Sequence, residues 1–534
     1  MPSKFLARTA SLTLVFAWAI TSAAQVNVTT YHNDNGRTGQ NTKETILTTS
    51  NVNSTDFGKL FSQTLDGYSY SQPLYVANVA IPNEGTHNVV YVATMNDSVY
   101  AFDADSNTGS NSSPLWKVNF TDAAKGITTV PTSDLHCADS ITTQVGIFST
   151  PVINTANDTI YVVARTLENG VYYFRLHALN ITTGAEEFGG PVVITASVNG
   201  TGSGASGGKI TFNAQLENQR AALLYQNGLV YVSFGSLCDY GQYHGWMFAY
   251  NDSTLAQSAV WLTTPNGKEG AIWQTGNGPA GDANYNTFIS VANGTFDVNT
   301  SGTDYGQSVV KVAPPSSGSF PILDYFTPYN ALTYNTTDLD IGSSGLSLLP
   351  NQTGTYAHLL VQGDKAGNLF LVNRDNMGHY NSSNNNQIVQ YIANANPGMW
   401  SSPAWWNNYV YTGASGDYIK AYTFSTKTEL LSTTPTSQTS SKYSYPGTTV
   451  SISSNGTTNG IVWALKNSSY KTTTGEAELH AYKATNLASQ LYTSTTNSTR
   501  DEPGAPIKFT VPTVVNGKVY ITTQKALVVY GLLN

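Results

Sequence analysis

Residues 88–105 read NVVYVATMNDSVYAFDAD. Two runs rich in β-branched and aromatic residues flank a turn signal, Asn96-Asp97-Ser98. In the first run Val90, Val92 and Thr94 alternate with Tyr91 and Ala93. In the second, Val99, Ala101 and Asp103 alternate with Tyr100 and Phe102. Period-two alternation broken by a turn is the pattern of a β-hairpin. A lone hairpin buries too little surface to stand in water, so this one needs partners.

The chain supplies them by repetition. The hairpin pattern returns at 159–184, at 228–234 with 245–252, and at 287–293 with 307–314. It returns again at 358–375, at 409–425, at 460–467 with 477–484, and at 518–533. The mean period is about 61 residues, in the range of repeat architectures that includes propellers. A strand with a Ser/Thr-x-Pro signature precedes several copies: SQPLYV from Ser71, STPVIN from Ser149, SSPAWW from Ser401 and TVPTVV from Thr510. A strand with a large apolar residue often follows, as in PLWKVNF, SAVWLTT, ELLSTT and QLYTST. Four strands per repeat make a propeller blade. The eighth copy reaches Asn534 without a fourth strand, while FGKLFSQTL (57–65) is a spare strand ahead of the first blade. Pairing it into the last blade would close the ring and remove an exposed edge. The expected fold is therefore all-β: an eight-bladed β-propeller of four antiparallel strands per blade, closed by an N-terminal strand. The irregular point is copy four, interrupted by Gly302-Thr303-Asp304-Tyr305-Gly306.

Composition agrees. Charged residues make up 11% of the 534, there are 33 tyrosines, and the formal net charge is −8. Few charges and many turn formers suit short strands rather than helices, and a negative balance argues against nucleic acid or an anionic membrane as partner. Lys4 and Arg8 precede an apolar run at 11–20 and the small residues Ser22-Ala23-Ala24. This is the pattern of a signal peptide over 1–24, with residues 25–534 as one propeller domain, secreted, extracellular and monomeric. Asn-x-Ser/Thr sequons are frequent, among them Asn199, Asn293, Asn351, Asn455 and Asn467, so a glycoprotein is expected if the source is a eukaryote. Cys137 and Cys238, the two cysteines, could form one disulfide in that compartment. No Cys-x-x-Cys-His occurs, so no haem is expected on this chain.

The order YHNDNGRTGQN (31–41), SQPLYV, then VYAFDADSNTG and PLWKV resembles the opening of the quinoprotein alcohol dehydrogenase family, eight-bladed propellers that bind pyrroloquinoline quinone. GDKAGNLFLVNRDNMG (363–378), SSPAWWNNYVYTGASGD (401–417) and VPTVVNGKVYITT (511–523) extend the resemblance over most of the chain. In that family the quinone lies in the central channel between a tryptophan floor and a disulfide ceiling. A Ca²⁺ held by a Glu and an Asn bridges its carbonyls, an Asp serves as base, and an Arg or Lys contacts the quinone oxygen.

The resemblance implies a set of site residues. Trp273, in GAIWQTGNG, takes the place of the floor tryptophan. Asp239, in LCDYGQYHGW, and Asn293, in VANGTFD, take the places of the metal ligands. Asp is a hard oxygen donor of the kind Ca²⁺ prefers. A glycan on Asn293 would exclude that role, because Asn-Gly-Thr is also a sequon. Asp304 is placed where the family has its catalytic Asp, and Lys365, in GDKAGN, where it has its Arg or Lys. Cys137 is followed by Ala138, so the family's adjacent cysteine pair is absent.

Two functions follow. The first is a quinone- and Ca²⁺-dependent dehydrogenase that oxidises an alcohol or sugar hydroxyl and passes electrons to a separate acceptor. The second, prompted by the absent cysteine pair and the polar, turn-rich connections, is a non-catalytic extracellular propeller that binds a glycan or protein through its loops.

Overall fold

The computed structural model describes Met1 and residues 26–135 and 144–533. The expected signal segment and its cleavage site lie outside the described residues, and so does Cys137. Forty strands dominate, with two short α-helices at Ala331–Thr337 and Ser498–Asp501 among the described residues. No helix among them is long and apolar enough to cross a membrane.

Eight blades form the ring. Blade 1 is Leu74–Ile81, Gly85–Ala93, Ser98–Asp103 and Trp116–Asn119, paired antiparallel in that order. The opening hairpin is its two middle strands, with Tyr91 opposite Ala101. The middle pairs of blades 2 to 7 are Thr159–Glu168 with Val171–Asn180, Leu229–Ser236 with Trp246–Asn251, Thr287–Ser290 with Val309–Val312, Leu359–Gly363 with Leu369–Asn373, Tyr409–Gly413 with Asp417–Ser425, and Thr458–Lys466 with Glu478–Lys483. Blade 4 is intact, because residues 302–306 lie in the loop between its second and third strands. Blade 8 is Thr513–Val515, Lys518–Thr522 and Ala526–Leu532, and Phe57–Thr64 completes it antiparallel to the last of these.

Both alternating faces of the opening hairpin are buried, and the packing shows why. Tyr91 and Ala93 pack with Ile160 and Val162 of blade 2, whereas Val90 and Val92 pack with Tyr520 and Val529 of blade 8. Each interface between neighbouring blades has its own apolar cluster, and the eight clusters run once around the ring. Phe57 sits fully buried between blades 7 and 8, edge-on to Tyr492 at 4.9 Å and beside Trp463 at 5.4 Å.

The first strands of the blades approach one another around the axis. Their inner edges would leave backbone groups unpaired in a buried channel. Residues 28–41 satisfy many of them, winding past the blades in order. Val28 pairs with Tyr75 of blade 1, and the Thr29 carbonyl accepts from Ile153 just inside blade 2. Asn35 donates to the Tyr225 carbonyl of blade 3 and accepts from Gly281 of blade 4. The carbonyls of Gly36, Thr38 and Gly39 accept from Leu348, Trp405 and Ile452 of blades 5, 6 and 7. Asn41 donates to the Val514 carbonyl of blade 8. At the centre Arg37 is fully buried and donates to the carbonyls of Pro279, Tyr31 and Leu223.

Candidate functional site: an axial cavity built from the blade entries

Above this hub a cavity of about 210 Å³ opens on the axis. Seven blade entries each contribute to it: Phe148 before blade 2, Arg220 before blade 3, Trp273 before blade 4, Asp340 and Ser343 before blade 5, Trp400 before blade 6, Tyr445 before blade 7, and Lys508 and Phe509 before blade 8. Loops between second and third strands add Cys238 and Asp239 from blade 3 and Lys365 from blade 5. An axial position follows from that inventory, because only the axis is reached by loops from all sides of a ring.

Trp273, Asp239 and Lys365, three residues expected from the sequence, line this one cavity. The Trp273 indole lies against Gly235, where an added Cβ would come within 2.6 Å of the ring, and its Nε1 donates to the Ser236 carbonyl at 3.0 Å. Asp239 sits exposed in the wall and accepts from the Tyr243 hydroxyl at 2.8 Å.

Lys365 is held by two carboxylates. It pairs with Asp338 on its exposed side and stands 3.5 Å from Asp340 on its buried side. Its ammonium also lies 5.8 Å from the Trp400 ring centroid. Asp340 is completely buried, and neither of its carboxylate oxygens has a hydrogen-bond partner. Burial pushes its carboxyl up to about 7 against the downward pull of Lys365, with Asp338 and Asp239 adding to the rise. Burial alone would lower the Lys365 pKa, but Asp340 and Asp338 outweigh it and the net shift is upward.

Two expected residues stand elsewhere. Asn293 is absent from the lining, since its amide donates to Asp338 at 2.8 Å and accepts from Gln307 at 2.6 Å. Asn293 therefore reaches the site only through Asp338. Asp304, expected as the base, is also absent from the lining. Its carboxylate accepts from the Asn266 backbone N–H at 3.0 Å and its other oxygen faces Gly267, so it braces a loop next to blade 4. The sequence placed Asp304 by its neighbours in the chain, whereas the cavity-lining acid beside Lys365 is Asp340, which enters from the preceding blade connection.

The lining offers groups that suit a flat, acidic ring system such as the quinone. Trp273 and Trp400 offer aromatic faces, and Arg220 brings a buried Nη2 with no hydrogen-bond partner. For a metal, no group of three or more His, Cys, Asp or Glu side chains stands ready among the described residues. The two expected ligands are engaged separately, Asp239 with Tyr243 and Asn293 with Asp338 and Gln307. Cys238 lines the cavity wall, while its expected partner lies outside the described residues.

Several residues at the axis share a sequence signature beyond the expected site motifs. Tyr70, Phe148, Trp400 and Phe509 each immediately precede a Ser/Thr-x-Pro blade entry. The last three line the axial cavity, and Tyr70 borders a smaller one beneath it, edge-on to Phe148 at 4.7 Å. Arg220 and Asp340 follow no such pattern.

The fold and the cavity define a class: an eight-bladed propeller with an axial cavity formed largely by its entry loops. No family model matches the chain, and no curated protein matches it in sequence. Among solved structures, the quinohemoprotein alcohol dehydrogenase ADHIIG from Pseudomonas putida HK5 matches 95% of this chain and 80% of its own, with a TM-score of 0.60 and 13% identity. Sqt1 of Saccharomyces cerevisiae matches 90% of this chain and 99% of its own, with a TM-score of 0.46 and 9% identity. The C-terminal WD40 domain of Sif2 gives the same coverages and identity and a TM-score of 0.44. The first likeness supports the propeller architecture over nearly the whole chain.

Proposed function

We propose that the protein is a secreted, quinone-dependent dehydrogenase that oxidises an alcohol or sugar hydroxyl and passes the electrons to a separate acceptor. The observation that carries this reading is the convergence of Trp273, Asp239 and Lys365 on one axial cavity, with Asp340 beside Lys365. Trp273 would form the aromatic floor. The chemistry supplied by a bound ortho-quinone is acceptance of hydride from the carbinol carbon.

Asp340 takes the hydroxyl proton. A general base works best with a pKa near the working pH, and burial holds this carboxyl at about 7. Lys365 keeps the carboxylate oriented and balances its charge, while Trp400 covers the lysine. The bridge from Cys238 to Cys137 would tie down the adjoining loop. No metal-dependent step is assigned.

Reconstitution with pyrroloquinoline quinone, with and without Ca²⁺, should give quinone absorbance and reduction of an artificial electron acceptor. Turnover should rise with pH through about 7 as Asp340 loses its proton. Asp340→Asn should lower turnover by roughly 10²- to 10⁴-fold while quinone uptake persists, and Asp304→Asn should leave turnover near the parent level. Absence of uptake at micromolar quinone would remove the enzyme reading and leave a non-catalytic binding propeller.

A further inference from the structure

Arg220 has no role in the sequence expectations, and its surroundings are unusual for a buried cation. Its guanidinium lies 3.9 Å from the Phe509 ring centroid and 6.0 Å from that of Phe148. It makes no ion pair or hydrogen bond among the described residues, and its Nη2 is buried without a partner. The titratable groups that bear on it are the phenols of Tyr445, Tyr31 and Tyr70, with no carboxylate among them. Removing a guanidinium from water without a counter-charge is costly. Cation–π contact with Phe509 offsets only part of that cost.

The residues around it carry a further cost. Phe509, whose ring lies against Arg220, has φ +71, a left-handed conformation that bulky side chains avoid. Cys238, Asp239, Gln274 and Thr275 also have positive φ, and three of these five residues line the cavity. Backbone strain of this kind persists where the surroundings enforce it, and it clusters at ligand sites. Lys508, next to Phe509, lines the same cavity and keeps its ammonium 5.2 Å from the Tyr470 ring.

We propose that Arg220 is a carboxylate anchor: the axial cavity takes a ligand bearing a carboxylate, which pairs with the Arg220 guanidinium beside Phe509. A carboxylate supplies the missing counter-charge and matches the planar donors of a guanidinium. It can belong to the cofactor or to an acidic sugar substrate. The inference rests on the reading of the cavity as a ligand site, but it does not depend on which of the two supplies the acid.

The experiment measures binding by calorimetry and tryptophan fluorescence for four probes: pyrroloquinoline quinone, its trimethyl ester, glucuronate and glucose. The parent protein should favour the acid of at least one pair by roughly 10- to 100-fold. Arg220→Met should abolish that preference without weakening the neutral member of the pair, and Arg220→Lys should retain part of it. Preference within the quinone pair assigns the carboxylate to the cofactor, and preference within the sugar pair assigns it to the substrate. An Arg220-dependent sugar preference without quinone binding keeps the anchor and removes the quinone reading. Equal binding of acid and neutral probes, a preference that survives in Arg220→Met, or no binding of any probe overturns the anchor. If Arg220→Met does not fold, the parent preference and the Arg220→Lys measurement decide.

Discussion

His32 and Arg37 show how single residues hold the centre of a large ring. His32 is fully buried, with Nδ1 at 2.8 Å from the Arg37 carbonyl and Nε2 at 2.9 Å from the Val450 carbonyl. Gly39 packs on the imidazole so closely that an added Cβ would fall 2.3 Å from Nε2, and its φ of +75 suits glycine. Burial lowers the His32 pKa to about 4, despite the two carbonyl contacts that raise it. The unfolded chain binds this proton below about 6.5 and the folded protein does not until about 4. Its contribution to stability is therefore complete above pH 6.5 and is lost as pH falls toward 4, by up to about 3 kcal/mol. Denaturant unfolding at a series of pH values should show that loss, and it should be smaller in His32→Gln. An equal loss in the variant would assign the acid sensitivity to other groups.

Among the elements, the closing strand does more than its length suggests. Phe57–Thr64 pairs with Ala526–Leu532 and covers the edge that blade 8 would otherwise present. Arg500 fastens its start, donating to the carbonyls of Ser54 and Phe57, while Asp501 accepts from the Lys59 N–H. Phe57→Ala should cost about 3–5 kcal/mol, as expected for truncating a buried phenylalanine, and should move the urea midpoint down with little change in slope. Because the strand covers the outer edge of blade 8, the same variant should loosen that cover and raise the tendency to self-associate, which light scattering would detect. The entry loops follow a different logic. Their Ser/Thr-x-Pro signature marks where a first strand begins, and the aromatic residue just before it is left facing the axis. That is why blade cores and cavity walls alternate along the chain.

At the scale of the molecule, ring closure sets what is accessible. Asn467 is buried and its amide donates to Thr510, and the Asn293 amide is committed to Asp338 and Gln307. Asn199, Asn351 and Asn455 are exposed. Expression through a eukaryotic secretory pathway followed by peptide mass spectrometry should find glycans at the exposed three and none at Asn293 or Asn467. A glycan at Asn293 would require its loop to open and would count against the cavity geometry described above.

The eight hairpins, the four-strand blades and the spare closing strand were all legible in the sequence, because alternation and turn chemistry are local and the repeat multiplies the signal. Trp273, Asp239 and Lys365 each lie in a short motif with its own turn, and all three line the axial cavity. The tertiary structure alone decided which acid joins them. Asp304 is 61 positions before Lys365 and Asp340 is 25, and neither spacing says which one crosses a blade boundary to reach the axis. The same holds for Arg220, whose partners Phe148 and Phe509 come from opposite ends of the chain. A propeller brings its site together from loops of many blades, so local pattern specifies the ring, and only its closure specifies which side chains meet at the centre.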